Sequence, residues 1–259
     1  MAGEQNMEPG EHLKEMLGTI PPERIATATI RRPPPALVAG YLELANMTST
    51  VSDVLDLFGI DRTIPASVLA PLDPRARVAG PAITLRYVPE LTTMTEGYCR
   101  LAKAKLADRD AYLLAQPGDV LIIDAGGNAA VSCMGNLSAS WASRQGLAGT
   151  VVDGAIRDVN SVRSIGYPVW SRGATPRSGK LRIEAAEING IIHCAGTQVR
   201  PGDLVLADGD GIVIVPVEHA EEVLIRAKAA SEIENNIESA IRRGASIAEM
   251  KQILPFDRW

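Results

Sequence analysis

The run Asp119-Val120-Leu121-Ile122-Ile123-Asp124, with Gly126 and Gly127 just after it, decides the fold of this chain. An unbroken apolar run of this length, bounded by turn-forming residues, is typical of a strand buried on both faces of a sheet. The chain after it repeats a pattern of strand, turn and helix. Helices are predicted over 136–145 and 158–165, and strands over 150–152 and 168–170. This β-α alternation predicts an α/β fold, in which helices cover a sheet.

The regions on either side of this run extend the pattern. On its N-terminal side, a strand is predicted over 82–87 and a helix over 96–107. Further upstream, helices are predicted over 11–17, 36–46 and 50–58, the last with Thr50 or Ser52 as its N-cap, which gives a helical N-terminal layer. On the C-terminal side, strands are predicted over 181–188, 190–194, 204–207 and 211–215, before a helix over 218–242.

The chain is predicted to form one domain. It has 259 residues with 46% hydrophobic side chains, which is enough to bury a sizeable core. No linker-like segment interrupts residues 78–216. We therefore predict a single domain over 1–259, with an N-terminal extension at 1–35, a core at 36–242 and a C-terminal tail at 243–259.

Charge and cysteine usage exclude several classes of protein. The net charge of -5 predicts no general attraction to nucleic acid or to anionic lipid, so we expect neither partner. The three cysteines, Cys99, Cys133 and Cys194, have no C-x-x-C spacing and follow no apolar leader, which predicts buried structural thiols in a cytoplasmic protein. The three histidines lack the spacing of an ordinary zinc site.

The first candidate site lies where a strand turns into a helix at Gly135-Asn136-Leu137-Ser138. A glycine at such a turn lets an anion approach the backbone, and the unpaired N–H groups of a helix start are donors directed at it. A small carboxylate or phosphate would fit there. The alternative is that Gly135 and Asn136 only cap the helix, since asparagine is among the best N-cap residues.

The second candidate site is Arg157-Asp158, at the end of the next buried strand. A guanidinium can bind a carboxylate through two hydrogen bonds, and a carboxylate can hold a hard divalent ion. The alternative is that Asp158 is the N-cap of the following helix while Arg157 pairs with a neighbouring acid. Two such turns in one sheet favour a site for a metal-chelated 2-oxo acid, because ligands bind at the carboxyl ends of parallel strands.

Other motifs carry less weight. Gly126-Gly127 lacks the G-x-G-x-x-G pattern of dinucleotide sites, and the chain contains neither G-x-S-x-G nor a P-loop. Asp208-Gly209-Asp210-Gly211 is interpreted as a hairpin turn rather than a calcium loop. Asp124 and Asp153 stand at strand ends, where they either orient site residues or satisfy turn N–H groups.

Taken together, these stretches resemble the family that includes 4-hydroxy-4-methyl-2-oxoglutarate aldolases and the RraA-type regulators of ribonuclease E activity. The resemblance runs in order over residues 50–240. The segments that carry it are 117–127, 135–137, 152–159, 166–170, 173–176, 201–205 and 210–216. It implies an α/β/β sandwich of the swivelling-domain type, assembled as a homotrimer or as a hexamer of two trimers, with sites between adjacent subunits.

The resemblance also implies roles for individual residues. Asp158 would be the ligand of Mg²⁺ or Mn²⁺, and Arg157 would bind the substrate and its enolate. Gly135, Leu137 and Ser138 would form the substrate-binding turn, with the N–H groups of Leu137 and Ser138 as donors. Glu234 matches the glutamate that a neighbouring subunit contributes.

The sequence departs from the aldolase pattern at two positions. Asn136 stands where an acid commonly follows the turn glycine, and Ser161 stands where an acid follows three residues after the Arg-Asp pair. We expect Arg157, Asp158 and Asn136 to be the catalytic residues, with Asn136 orienting water but unable to relay a proton as a carboxylate does. Loss of the two negative charges should weaken binding of the divalent ion.

These observations leave two classes of function open. The first is a metal-dependent lyase of class II aldolase or decarboxylase type, which cleaves a small 2-oxo acid, such as an oxaloacetate-like acid, through a pyruvate enolate. The second is a non-catalytic regulator that acts by protein contact. A diverged family enzyme with a different small-acid substrate is a further alternative.

Overall fold

The computed structural model describes residues 19–253, and its largest element is a mixed sheet of nine strands. The helix predicted over 11–17 lies outside these residues. The strands are β1 Thr63–Pro65, β2 Ala70–Pro71, β3 Val78–Pro89, β4 Val120–Met134, β5 Gly149–Ile156, β6 Val169–Ala174, β7 Ile183–Ile188, β8 Ile192–Cys194, β9 Thr197–Val199, β10 Leu204–Ala207 and β11 Gly211–Val215. The helices are α1 Pro35–Leu42, α2 Met47–Asp56, α3 Met94–Cys99, α4 Asp108–Leu114, α5 Asn136–Arg144, α6 Val159–Ser164, α7 Ala220–Arg242 and α8 Ile247–Ile253, and a short 3-10 helix, Pro22–Arg24, precedes them.

The parallel strands β3, β4, β5 and β6 form the centre of the large sheet. Every residue of β5 and the first five residues of β4 are buried, as expected for parallel strands covered on both faces. The antiparallel strands β10, β11 and β1 extend the sheet on one side, while β2 pairs with β6 at the opposite edge. Strands β8 and β9 form a separate hairpin. The predicted α/β fold is confirmed.

Strand β3 connects two parts of the molecule. Its first residues pair with β10, its last residues pair with β7, and β4 lies along its other edge. Helices α1, α2 and α7 pack on β10 and β11 around buried residues that include Tyr41, Val51 and Val223. Helices α4, α5 and α6 cover the parallel strands around a second core that includes Leu121 and Ala139. The predicted helical N-terminal layer corresponds to α1 and α2.

The single helix predicted over 96–107 is wrong. Helix α3 begins at Met94, after a capping box between Thr93 and Glu96, and ends at Cys99. Leu101 adopts a left-handed conformation with a φ of 53°, which an α-helix cannot contain. A second helix, α4, then begins at Asp108, beyond the predicted range.

Three smaller predictions also need correction. The strand expected to end near the two glycines at 126 and 127 continues to Met134, with a shift of register against β5 in that region. Helix α2 begins at Met47 with Asn46 at its N-cap, so Thr50 and Ser52 lie inside the helix. Strand β9 was not predicted, because its three residues are too few to show an alternating pattern.

Two predictions from composition can be compared with the structure. Cys133 and Cys194 are buried as predicted, whereas Cys99 is exposed at the end of α3, so the prediction of a buried thiol is wrong there. Among the helices of residues 19–253, none has both the length and the apolar character needed to cross a bilayer.

Candidate active site

Two turns meet at one edge of the sheet. Strands β4 and β5 are parallel neighbours, and Met134 pairs with Ile156 at their ends. Strand β4 then turns through Gly135 into α5, and β5 turns through Arg157 and Asp158 into α6. The Arg157 N–H donates a hydrogen bond to the Met134 carbonyl oxygen over 2.9 Å. The structure therefore brings together the two turns that the sequence singled out.

The Asp158 carboxylate joins these turns. Its Oδ2 accepts a hydrogen bond of 3.1 Å from the Asn136 N–H, at the start of α5, and lies 3.5 Å from Arg157 Nε. Asp158 holds the N-cap position of α6 with a φ of 59°, but its side chain makes no capping bond to that helix. The alternative in which Asp158 only caps its own helix is therefore wrong. The neighbouring acid with which Arg157 pairs is Asp158 itself.

Gly135 permits this close approach. A Cβ at position 135 would lie 2.7 Å from Asp158 Oδ2, closer than real Cβ atoms approach other groups, and 3.0 Å from Arg157 Cγ, which is a tight contact. The backbone of Gly135, with φ -148° and ψ -167°, is extended and open to any residue. The glycine is therefore needed for space beside the Arg-Asp pair, rather than for an unusual backbone conformation.

The start of α5 offers two hydrogen-bond donors. The Ala139 N–H donates to the Gly135 carbonyl oxygen, and the Asn136 N–H donates to Asp158. Within residues 19–253, the N–H groups of Leu137 and Ser138 have no acceptor. The first N–H groups of a helix carry the positive end of its dipole, so these two suit an anionic oxygen.

These groups border one cavity of about 310 Å³. The predicted site residues that line it are Gly135, Leu137, Ser138, Arg157 and Asp158. Asn136 does not line the cavity. It contributes to the site through its backbone N–H, which donates a hydrogen bond to Asp158. The cavity is thus continuous between the turn at 135–138 and the pair at 157–158.

Glu234 lies elsewhere in the same chain. It is a half-buried residue of α7, the helix that packs on α1 and α2, and it does not line the cavity of its own chain. Its predicted contribution to a neighbouring subunit stays a prediction.

The sequence reasoning missed three charged residues of the cavity, Asp108 and Arg109 of α4 and Lys180. The first two were missed because the helix predicted over 96–107 ended just before them, and no new helix was predicted to begin at Asp108. The available signal was the cluster Asp108-Arg109-Asp110, since acidic residues are enriched in the first turn of a helix.

Asp108 is a buried acid with a shifted pKa. Asp108 is 5% exposed, and its carboxylate accepts a hydrogen bond from Ser138 Oγ. Burial raises the pKa of Asp108 to about 6, although the nearby Arg109 opposes this shift. A carboxyl group of this kind can gain and lose a proton near neutral pH.

Arg157, Arg109 and Lys180 give the cavity a positive wall, opposed by Asp108 and Asp158. Arg109 lies over the Trp141 ring, with its guanidinium carbon 5.9 Å from the ring centre. Of the ion pairs formed within residues 19–253, none includes Arg109 or Lys180. Both cations are therefore available to an anionic ligand.

Asp124 and Asp153 have structural partners. Asp124 Oδ1 accepts a hydrogen bond of 2.9 Å from the Gly126 N–H, as expected for a turn. Asp153 pairs with Arg172 and accepts a hydrogen bond of 2.8 Å from the Ala195 N–H. Of the two alternatives given for these acids, satisfaction of nearby N–H groups is the one observed.

The chemistry of the cavity is compatible with a weakly held divalent ion. Within residues 19–253, no group of three His, Cys, Asp or Glu side chains is arranged to hold a metal. Mg²⁺, however, is commonly bound by one or two carboxylates, with water and substrate oxygens as the other ligands. Asp158 fits that role, because its Oδ1 accepts no hydrogen bond from the described residues and its side chain is 43% exposed.

Comparison with known proteins gives matches over most of the chain. A family model described as Aldolase/RraA matches residues 48–214. A protein of Halalkalibacterium halodurans, named provisionally as a 4-hydroxy-4-methyl-2-oxoglutarate aldolase, is 35% identical over 181 residues, which cover 70% of this chain and 78% of the relative. A Thermus thermophilus protein named as the same aldolase is 29% identical over 170 residues, covering 66% of this chain and 94% of the relative.

A solved structure also resembles this chain. It is that of RraAS2 from Streptomyces coelicolor, described as an unusual member of the RNase ES inhibitor RraA protein family. It is 32% identical and superposes with a TM-score of 0.68, covering 80% of this chain and 98% of the other.

Proposed function

Because this chain belongs to the Aldolase/RraA family, we propose that it is a lyase that cleaves or decarboxylates a small 2-oxo acid through a pyruvate enolate. One observation carries the proposal. Two unpaired N–H groups, the Arg157 guanidinium and the Asp158 carboxylate border a single cavity. Donors, a cation and a ligand for a metal are together the groups that such a reaction requires.

The positive groups of the cavity bind the substrate in this proposal. The Arg157 guanidinium presents a planar set of donors that matches a carboxylate or the two oxygens of a 2-oxo acid. The N–H groups of Leu137 and Ser138 donate to the remaining carboxylate oxygen. The 2-oxo acid group of the substrate is thereby held between the two turns, with the bond that breaks directed into the cavity.

The same groups stabilise the charge that develops during the reaction. Breaking the C3–C4 bond, one carbon away from the 2-oxo group, leaves an electron pair on C3 that delocalises onto the 2-oxo oxygen as an enolate. Arg157 borders the cavity and is paired with Asp158 before a substrate binds, so its guanidinium can stabilise the enolate with little reorganisation. Asp158 would hold Mg²⁺ or Mn²⁺, which supplies Lewis-acid stabilisation of the same charge when bound.

The departures from the aldolase pattern affect the metal more than the anion site. Asn136 provides its N–H to Asp158, and Ser161 is an exposed residue of α6 that does not line the cavity. Asp158 is therefore the only described carboxylate at the mouth formed by the two turns, with Asp108 buried on the α4 side. We propose weak binding of the divalent ion, with occupancy that depends on bound substrate.

The proposed reaction predicts metal-dependent release of pyruvate from oxaloacetate. With Mg²⁺ or Mn²⁺ the enzyme should release pyruvate, and EDTA should lower the rate by at least about tenfold, because Lewis-acid stabilisation is lost. The measurement is pyruvate production coupled to a dehydrogenase, corrected for the metal-catalysed background. Heat-denatured enzyme is the control, and a rate equal to that background with each metal would contradict the lyase proposal.

The space beside Gly135 supports a second prediction. Gly135→Ala should fold, but its Cβ would displace the Asp158 and Arg157 side chains. A displacement of about 1 Å at reacting groups can reduce activity about 100-fold, so we expect a loss between about tenfold and 100-fold in kcat/KM. The measurement is pyruvate release at saturating metal.

The matched control is Gly97→Ala, whose Cβ would meet only the Leu181 side chain at 3.4 Å or more. It should retain the wild-type rate. Equal activity of Gly135→Ala and the wild type would show that close packing at this glycine does not position the reactive groups.

A regulator that acts by protein contact is the second candidate, favoured by the 32% identity to the RNase ES inhibitor family member. A regulator should co-purify with a large ribonuclease and inhibit it. The Arg157 and Asp158 side chains would then be dispensable for inhibition, whereas the lyase requires both.

We also propose that the chain assembles as a homotrimer or hexamer. The proposal rests on the family relationship and on Leu137, which lines the cavity yet is 72% exposed in the single chain. Apolar exposure at the cavity mouth is consistent with cover by a neighbouring subunit. Light scattering in solution measures the state directly.

A further inference from the structure

Asp108 is the buried carboxyl group of the cavity that the proposed function has not used. It is the first residue of α4, and together with Ser138 it lines the cavity. Ser138 Oγ donates to the Asp108 carboxylate and lies 3.3 Å from the Tyr112 hydroxyl oxygen. Of the ion pairs within residues 19–253, none includes Asp108. Backbone N–H groups at the start of α4 bond this carboxylate, but burial outweighs them and raises its pKa.

The surroundings of Asp108 raise its pKa to about 6. Arg109 and Asp110 on its own helix have opposite effects on its pKa, and burial is the largest influence. Tyr87 of β3, Tyr112 of α4 and Cys133 of β4 also face it, and burial raises the pKa of each of them. These three groups are therefore neutral near pH 7. Arg157, Asp158 and Lys180 are the other charged residues that line the cavity.

Ser138 connects this acid to the proposed substrate position. Its backbone N–H is one of the two unpaired donors at the start of α5, and its hydroxyl group is bound to Asp108. A group held by the N–H is thus next to the hydroxyl of the same residue. The Asn136 side chain is an amide and cannot relay a proton as a carboxylate does. Apart from Asp158, Asp108 is the only carboxyl group among the described cavity residues.

We propose that Asp108 and Ser138 form a proton relay to the pyruvate enolate, an inference that rests on the proposed lyase function. During cleavage of an aldol, Ser138 Oγ takes the proton of the substrate hydroxyl group and passes its own proton to the Asp108 carboxylate. The C–C bond then breaks, a carbonyl product forms and the electron pair enters the enolate. In the return step the enolate carbon takes a proton from Ser138 Oγ, which is reprotonated by Asp108. Both residues end in their initial state.

The test uses exchange of the pyruvate methyl protons for deuterium, observed by proton NMR in D₂O with Mg²⁺. This exchange requires proton transfer at carbon, whereas the C–C bond of oxaloacetate breaks without it. Asp108→Asn and Ser138→Ala should lower the exchange rate by about 100-fold, the usual contribution of a general acid or base. Pyruvate release from oxaloacetate should fall by about tenfold at most, because the relay acts after the C–C bond of oxaloacetate is broken.

Two controls separate a relay from a structural role. Asp73→Asn changes an acid of a loop that borders a different cavity, and Ser140→Ala removes an exposed hydroxyl of α5. Both should exchange at the wild-type rate, and Asp108→Glu should restore part of the rate lost in Asp108→Asn. In the wild type, the exchange rate should rise as pH passes through about 6 and then level off. The exchange rate of Asp108→Asn should not show this rise with pH.

Stability gives a readout that does not depend on activity. A folded-state pKa raised above its unfolded value means that ionisation of Asp108 destabilises the fold as pH rises from about 4 to 6. Asp108→Asn should therefore match the wild-type melting temperature near pH 4 and exceed it above pH 6 by a few degrees. If Asp108 were a structural brace, the variant would instead melt lower at neutral pH.

The outcomes are distinguishable. A wild type that neither exchanges pyruvate protons nor releases pyruvate overturns the proposed function, and the relay with it. An active wild type whose exchange and pyruvate release fall in parallel in Asp108→Asn, or do not fall, overturns the relay alone. A selective loss of exchange together with a more stable variant at neutral pH supports it.

Discussion

Arg157→Lys is expected to lower kcat/KM for pyruvate release by about 100-fold to 1000-fold, the range found when one donor to a developing oxyanion is removed. Lysine keeps the positive charge but lacks the planar set of donors that binds two oxygens together. Its ammonium group also cannot reproduce the placement of Nε, which lies 3.5 Å from Asp158 Oδ2. The measurement is steady-state pyruvate release over a range of substrate concentrations. The loss should appear in kcat as well as in KM, because the enolate needs the guanidinium more than the bound substrate does.

Arg242→Lys is the matched control. Arg242 pairs with Glu238 on the exposed surface of α7, far in sequence from both turns, and a surface ion pair contributes little. This variant should behave as the wild type. An unchanged kcat in Arg157→Lys would mean that the guanidinium only binds the substrate and that other groups stabilise the enolate.

Asp158→Asn is expected to abolish the response to Mg²⁺ and to lower kcat/KM by about 100-fold or more, since stabilisation by the metal contributes several kcal/mol in such reactions. An amide oxygen still accepts the Asn136 N–H, so α5 should keep its position and the melting temperature should change little. The amide, however, lacks the negative charge that a hard divalent ion requires. The measurement is activity against Mg²⁺ concentration, together with thermal melting.

Asp73→Asn provides the comparison for this variant. Asp73 also lies beside an arginine in a loop, with Arg75 Nη2 3.2 Å from its carboxylate, but it borders a different cavity. It should retain both the rate and the metal response. Should Asp158→Asn respond to Mg²⁺ as the wild type does, the metal must bind through other groups.

Much of the sheet could be predicted from sequence because its signals are local. The apolar run at 119–124 and the later β-α repeats specify buried parallel strands without any knowledge of distant contacts. The two turns follow the ends of such strands, so their proximity could also be predicted. Gly135, Arg157 and Asp158 can therefore be identified from the sequence, and the structure brings them to one cavity.

The rest of the site depends on contacts that no local pattern encodes. The left-handed Leu101 separates α3 from α4, and the sequence around it favours a continuous helix. Asp108 was missed as a consequence. The left-handed conformation of Asp158 is equally hidden, and it accompanies a side chain bonded to α5 rather than to its own helix. In both cases tertiary contacts override the local preference.

The shared position of strand β3 limits how this protein can be divided. Its hydrogen bonds to β10, β7 and β4 couple the part that carries α1, α2 and α7 to the part that carries both turns. A fragment trimmed to the catalytic turns would either lose this strand or expose the apolar surface that the removed helices cover. The chain should therefore open as one cooperative unit, and no smaller autonomous module for the reaction can be excised from it.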